Sequence, residues 1–293
     1  MSSAERAADL LLDLEPEEFR VLQSIELGMS SYSQVPMDEI LKYTGMPQSE
    51  VEYRLRELDK KDLIYRKPEP FPGYVLNYTG YDSLALNALA KADILNSLGQ
   101  SLGVGKEADI FDGITDEGER VAVKFHRLGR TSFRETRKKR DYIQRRGHTP
   151  WSYQSRLAAE KEFSVQSIAH DGGVSTPRPI HQNRHVVVMG FIDGYNLNDV
   201  DVLDDPSGFL DDILYNVEMT YKVGLIHADL SEYNIVVQKN GMVLLIDWPQ
   251  AVPTDHPNAE GLLRRDIWNV LHYFKRKFGV ERDLEETIKS VKA

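Results

Sequence analysis

The tightest constraint on this chain is the run Ile226-His227-Ala228-Asp229-Leu230-Ser231-Glu232-Tyr233-Asn234 and the thirteen residues that lead from it to Asp247. Two apolar stretches, 235–238 and 243–246, flank Asn240-Gly241, the dipeptide that favours a tight hairpin turn. Ile246-Asp247-Trp248-Pro249 follows. The hairpin folds the chain back on itself, so Asp247 can return to the segment that holds Asp229 and Asn234. An Asp, an Asn five residues on and a second Asp eighteen after the first form the set that phosphoryl transfer requires. One carboxylate orients or deprotonates the attacking hydroxyl, while an amide and a second carboxylate hold Mg²⁺ on nucleotide phosphates. The same residue types would also arise as a helix-capping Asp, a turn Asn and a strand-end Asp that never converge. The apolar flanks and the spacing favour convergence.

Upstream, Val121-Ala122-Val123-Lys124 is an apolar strand ending in one Lys, the pattern of a strand whose lysine pairs with phosphates and with a helix Glu. Glu162, on the next helical stretch, is the expected partner; Glu160 lies on a different face. Ser101-Leu102-Gly103-Val104-Gly105-Lys106-Glu107-Ala108-Asp109 precedes the strand by about twenty residues. Its Gly-x-Gly lets backbone amides approach phosphate oxygens, although it is neither a Walker loop nor the full protein-kinase glycine loop. A flexible hairpin serving as a nucleotide lid is expected.

At 293 residues the chain has room for about two domains. Residues 1–92 read as a winged helix: helices around Phe19, Leu22 and Ile25, around Met37, Ile40 and Leu41, and around Val51, Leu55 and Leu58, then a proline-rich hairpin and a helix over 81–92. This segment holds ten basic and sixteen acidic residues, so any nucleic-acid contact there must use a local patch drawn from Arg54, Arg56, Lys60, Lys61, Arg66 and Lys67. From residue 94 on, short β-branched runs alternate with helical stretches at 155–170, 208–223 and 262–278, an α+β pattern.

The net charge of −10 argues against a surface coated for nucleic acid, but the charge is uneven. Residues 127–156 carry ten basic side chains against Glu135 and Asp141. Such a stretch is expected to be a solvated loop that meets an anionic partner, with Trp151 and Tyr153 either packed on the body or stacked on a base. His181, His185 and His256 show no metal-ligand spacing and are expected to be solvated or capping; Tyr78, Tyr81, Trp268 and Phe274 are expected in cores. The absence of Cys excludes thiolate zinc sites and cysteine nucleophiles, and no apolar run is long enough to span a membrane. A soluble, cytoplasmic protein is expected.

Taken together, SLGVGKEAD, VAVKFHRLG, IHADLSEYN and IDWPQ resemble the RIO family of atypical serine kinases, and the N-terminal winged helix resembles that of its second subfamily at the length of archaeal members. Ser231, where typical protein kinases carry Lys, and Asp-Trp-Pro-Gln, where they carry Asp-Phe-Gly, are specific to that family. The resemblance implies an α+β chain, a winged helix (1–92) followed by a truncated bilobal kinase-like domain (93–293) with lobes meeting near residues 189 and 190. It implies an ATP- and Mg²⁺-dependent (alternatively Mn²⁺-dependent) serine/threonine kinase or ATPase acting on the precursor of the small ribosomal subunit. The ribosomal RNA would be touched by the winged helix and the 127–156 loop, with a protein serine as a further acceptor.

By position, Lys124 resembles the phosphate-anchoring lysine and Glu162 its ion-pair partner. Asp229 resembles the catalytic aspartate, and Asn234 and Asp247 the metal ligands, with Asp247 also a candidate phosphoryl acceptor. Ser101, Gly103, Val104, Gly105, Lys106 and Ser231 would line the nucleotide site. Met189 would guard the adenine pocket, with the backbone from Gly190 to Ile192 supplying its hydrogen bonds. Two other classes stay open at this point: a small-molecule phosphotransferase of the antibiotic-kinase type, and a nucleic-acid-binding regulator with a silent kinase fold.

Overall fold

The computed structural model describes residues 1–128 and 151–293. These form two compact units, Met1–Ala158 with Gln182–Val187, and Ala159–His181 with Val188–Ala293. The boundary expected at residue 92 falls inside the first unit.

The first unit opens with a helix absent from the sequence reading, α1 (Ser3–Leu10), started by a reciprocal pair in which Ser2 Oγ accepts from the Glu5 amide and Glu5 accepts from the Ser2 amide. The three helices of the winged helix follow as α2 (Pro16–Gly28), α3 (Met37–Thr44) and α4 (Gln48–Lys60). Gly45, at φ +62°, ends α3 in the left-handed conformation that glycine adopts without steric cost. The wing is the antiparallel pair β1 (Ile64–Lys67) and β2 (Gly73–Leu76). α5 (Tyr78–Lys91) starts three residues before the expected position, because Asn77 caps it by accepting from the Gly80 amide at 2.9 Å. A Cβ on Gly80 would stand 2.2 Å from the Leu63 carbonyl oxygen, so only glycine fits there. Phe19, Leu22, Ile25, Val51, Leu55 and Leu58 close the core at the helical spacing expected of them, with Val21 beside them.

After α5 comes an antiparallel meander of β3 (Ser97–Val104), β4 (Ala108–Ile114) and β5 (Arg120–His126). Its outer edge is joined by the turn 182–187, where the His126 amide donates to the His185 carbonyl at 2.9 Å.

Arg127 corrects the expectation of a solvated basic loop at its first residue: the side chain is fully buried. Its guanidinium grips Asp82 of α5 with two bonds of 2.6 and 2.9 Å and gives Nε to Asp109 of β4 at 3.0 Å. The ring of Phe125 lies 5.0 Å beneath it. His185 is buried too, not solvated, with Nε2 2.7 Å from the Asp82 carboxylate and its ring stacked 4.4 Å from Tyr81. Burial holds the His185 pKa down near 4, so the ring is neutral and Nε2–H is the donor. For Asp82, burial pushes upward, but Arg127 and His185 outweigh it and keep the carboxyl below its ordinary range. Trp151 packs against Tyr78 and Tyr81 at 3.9 and 5.6 Å, which settles its role as a body contact. The remainder of the basic stretch, 129–150, lies outside the described residues.

The second unit contains most of α6 (Trp151–Asp171), which begins in the first. β6 (Pro179–Asn183) and β7 (Val186–Gly190) have their turn end in the first unit and their open ends in the second. Wholly in the second unit are α7 (Pro206–Lys222), α8 (Ala259–Phe278) and α9 (Leu284–Val291), which enclose a three-stranded sheet of β8 (Gly194–Asn196), β10 (Ile235–Gln238) and β11 (Val243–Leu245) in the order β11-β10-β8. A short pair, β9 (Leu225–Ile226) and β12 (Val252–Pro253), brackets the segment between them. The core is a separate apolar cluster that includes Leu210, Ile213, Ile267, Phe274 and Trp248. Trp268 departs from expectation: it is half exposed on α8 while Phe274 is buried.

Replacing Arg127 by Ala removes the guanidinium that the buried carboxylates of Asp82 and Asp109 share. Truncating one member of a buried ion pair costs about 3–5 kcal/mol. Urea unfolding followed by circular dichroism is expected to show a loss of that size; a loss under about 1 kcal/mol would contradict the pairing.

Candidate phosphoryl-transfer site

The expected site residues fall in both units, and each set has its own geometry. In the first unit, Ser101 and Gly103 lie on β3, Val104 ends that strand, and Gly105 and Lys106 form the turn into β4. The lid is thus a strand end rather than a loose hairpin. Pairing of β3 with β4 shifts twice, between Leu98 and Ser101 and between Ser101 and Gly103, which bends the strand away from a regular ladder. The Gly105 amide closes the turn on the Ala108 carbonyl at 2.8 Å, and a Cβ on Gly105 would press that oxygen at 3.0 Å. Lys124 lies on β5 opposite Ile110, its side chain buried. The Arg127 amide donates to Glu107 O at 2.7 Å, so the strand bearing Lys124 and the foot of the lid share one framework with the Arg127–Asp109 pair.

In the second unit the hairpin does what its sequence requires. Ile235 pairs with Leu245, and the Ile246 amide donates to the Asn234 carbonyl at 3.0 Å. Asn234 and Asp247 therefore sit on adjacent backbones at the open end of the hairpin. The Asn234 side-chain amide donates to the Asp229 carbonyl at 2.7 Å, so Oδ1 is the side-chain atom that could serve a cation. Ser231 opens the short helical turn Glu232–Asn234, and its carbonyl accepts from the Asn234 amide at 2.9 Å. Two non-glycine residues take left-handed backbone, Ala228 at φ +62° and Asp247 at φ +70°. Such conformations cost on the order of 1 kcal/mol or more and persist only where the surroundings enforce them.

Those surroundings centre on a residue that sequence reasoning missed. Asp266, buried on α8, accepts from the Ala228 amide at 2.6 Å and from the Leu230 amide at 3.1 Å, clamping the backbone on either side of Asp229. Arg265 donates to the Ala228 carbonyl, and Asn269 to the Leu230 carbonyl at 3.0 Å. A signal was present in the sequence: a carboxylate among Leu263, Ile267 and Val270 interrupts the apolar stripe of α8.

His227, also buried, places Nε2 3.0 Å from the Ile246 carbonyl, next to Asp247, and packs against Trp248. Burial lowers its pKa to about 4, against the opposing bond from Ile246 and the opposing charges of Asp247 and Glu162. Both carboxylates thus act on one imidazole. Trp248 is anchored by Nε1 donating to Thr176 Oγ1 at 2.9 Å. Glu162 is buried on α6, whereas Glu160 is only half-buried. Met189 is the penultimate residue of β7, in reach of Gln166, and Ile192 is half-buried beyond it. The Gly190 amide already donates to Arg178 O at 2.8 Å, so Gly190 can offer a ligand only its carbonyl.

The donor set suits a hard cation. Among the described residues no group of three or more His, Cys, Asp and Glu forms a metal cage. Mg²⁺ needs only one or two protein oxygens when phosphates and water complete its shell, and Asn234 Oδ1 with the Asp247 carboxylate would supply them.

Asp266 carries a pH signature. Burial raises its pKa from 3.8 to about 6, more than the two amide bonds lower it. The folded chain therefore binds this proton more tightly than the unfolded chain. The resulting stability is complete below about 3.8 and is lost as pH rises through about 6. Between pH 4 and 6.5 the parent should lose on the order of 2–3 kcal/mol that Asp266→Asn does not lose. Urea midpoints across that range check it; parallel pH profiles would contradict it.

With the geometry in place, comparison with known proteins is specific. Residues 109–287 match the RIO domain model, and residues 11–92 match the Rio2 N-terminal model. The chain is 40% identical to a RIO-type serine/threonine-protein kinase Rio2 of Methanocaldococcus jannaschii, over 88% of this chain and 96% of that one. A serine/threonine-protein kinase rio2 of Schizosaccharomyces pombe is 36% identical over 92% of this chain and 79% of its own. The crystal structure of a Rio2 kinase–ADP/Mg²⁺–phosphoaspartate complex from Chaetomium thermophilum superposes with a TM-score of 0.84 at 34% identity, covering 97% of this chain and 88% of that one. The chain belongs to the RIO family of serine/threonine kinases, in its Rio2 branch.

Proposed function

We propose that this chain is an ATP- and Mg²⁺-dependent serine/threonine kinase, with turnover of ATP as part of its cycle, that acts in the cytoplasm on maturing small ribosomal subunits and contacts their RNA. The observation that carries the catalytic part is the junction of Asn234 and Asp247 at the hairpin's open end, beside an Asp229 segment clamped by Asp266. Mg²⁺, when bound, neutralises charge on the nucleotide phosphates. Lys124 anchors those phosphates, and Glu162 takes the role of the family's helix glutamate. Ser101, Gly103, Val104, Gly105 and Lys106 cover the phosphates, and Ser231 lies beside them. Met189 and Ile192 border the adenine.

Asp229 orients the attacking hydroxyl or water and takes its proton. The complex of the fungal relative contains a phosphoaspartate. In this chain Asp247 is the corresponding acceptor. Its carboxylate oxygen bonds to the γ-phosphorus, the bond to the bridging oxygen of ADP breaks, and water later cleaves the acyl phosphate to carboxylate and inorganic phosphate.

Several features support the RNA part. On the winged helix Arg54 is held by Glu50 and Glu15, Lys60 by Glu57, and Lys61 by Glu18. Arg56 on α4 and Arg66 and Lys67 on the wing are exposed, with Tyr65 beside them. These are the residues of that patch best placed for phosphates. The 129–150 stretch adds eight further basic residues. Among the described residues no helix is long and apolar enough to cross a membrane.

Lys124→Ala and Asp247→Ala are each expected to abolish transfer of labelled γ-phosphate and ATP turnover while leaving the circular dichroism spectrum unchanged. Normal activity in either variant would overturn the site, and silence in the parent would favour a regulator without catalysis. RNA binding should weaken steeply with salt. Neutralising Arg137, Lys138, Lys139 and Arg140 should reduce the slope of log K against log salt by about 3 on single-stranded RNA; an unchanged slope would remove that stretch from the interface.

A further inference from the structure

Trp268 presents half its surface to solvent on α8, where an apolar side chain of that size is expected to be buried. Its indole is stacked on His272, one turn along, with ring centroids 4.8 Å apart and planes 12° from parallel. Trp268 and His272 border an open depression of about 650 Å³ between α8 and the start of α9, floored by Leu271. Three cations stand around it: Lys275, Arg276 and Arg282.

Each cation has a carboxylate nearby, but loosely. Lys275 is 3.1 Å from Glu281, and both are well exposed. Arg276 is 3.7 Å from Glu232, and Arg282 is 3.4 Å from Asp211 while also donating to Ser207 at 2.7 Å. Exposed pairs of this kind are worth between nothing and about 1 kcal/mol, so an anionic partner can displace them at little cost. Only Glu281 among the lining residues opposes the positive charge.

A planar aromatic platform with two cations about two turns along the helix and a third, Arg282, in the segment before α9 matches the needs of a single-stranded nucleic acid, in which a base stacks and the flanking phosphates are neutralised. We infer that the Trp268 face of α8 is a binding site for single-stranded RNA, seating one base on Trp268 and its neighbouring phosphates on Lys275, Arg276 and Arg282. Charge complementarity selects an anion, and the open, pre-stacked indole favours a base over an acidic peptide. The residues proposed for it are other than those of the wing and of the 127–156 stretch. It extends the RNA part of the proposed function and does not depend on the kinase assignment.

The test uses the full chain and a fluorescein-labelled decauridylate, read by anisotropy as a function of salt. Trp268→Ala is expected to weaken binding about tenfold or more, with Trp268→Phe recovering most of it because a stacking face is restored. Lys275→Ala/Arg276→Ala/Arg282→Ala is expected to lower the salt slope by about 2. Quenching of indole emission by unlabelled decauridylate should disappear in Trp268→Ala, since Trp248 is buried and Trp151 is packed against two tyrosines.

Undiminished RNA binding in the Trp268→Ala and triple variants, alongside weakened binding when Arg137, Lys138, Lys139 and Arg140 are neutralised, would overturn this site and leave the other RNA surface standing. The converse pattern would uphold this site and remove the other. If the parent binds no decauridylate, both fall while the catalytic reading is untouched. Competition by a deca-glutamate peptide as effective as by the RNA would make the face a protein-docking surface and overturn the inference.

Discussion

One buried carboxylate, Asp266, fixes the backbone on which the site depends. By accepting the amides of Ala228 and Leu230 it holds both flanks of Asp229 and enforces the left-handed turn at Ala228. A carboxylate buried among Leu263, Ile267 and Val270 is costly, and its raised pKa registers that cost. The two amide bonds offset part of it. What the protein gains is a loop whose geometry is set before any ligand arrives, as electrostatic catalysis requires.

The first unit uses a parallel device. Arg127 joins Asp82 on the last helix of the N-terminal segment to Asp109 at the foot of the lid, with His185 closing the ring of bonds. Lys124 lies three residues before that arginine, on the strand that ends at His126 immediately ahead of it. The winged helix is therefore a structural neighbour of the turn proposed as a nucleotide lid as well as a candidate RNA contact. Replacing such a network by apolar side chains can be neutral for stability, so its value lies in specifying one arrangement of α5, β4 and β5.

Much of this was legible because short-range rules decide it. Asn240-Gly241 between β-branched runs fixes the hairpin, and the hairpin fixes the meeting of Asn234 with Asp247. Helical periodicity located α2, α3 and α4, and Gly45 marked a helix end. Three of the misses share one cause. The roles of Asp266, Arg127 and His185 come from partners 18 to 103 residues away, and no local pattern announces which distant residue will be the partner. Arg127 counted toward a basic run that its own burial contradicts. Trp268 was expected in a core on apolarity alone, yet its face of α8 meets solvent. The lid looked flexible from its glycines, but its pairing with β4 makes it a bulged strand.

The central claim is that Asn234 and Asp247 jointly hold the cation that binds nucleotide phosphates. Calorimetric titration of the purified chain with ADP, with and without Mg²⁺, tests it most directly when repeated on Asn234→Ala. Tight ADP binding that requires Mg²⁺ in the parent, and loses that requirement in the variant, is the predicted result. The same Mg²⁺ dependence in both proteins would show that the cation is held elsewhere.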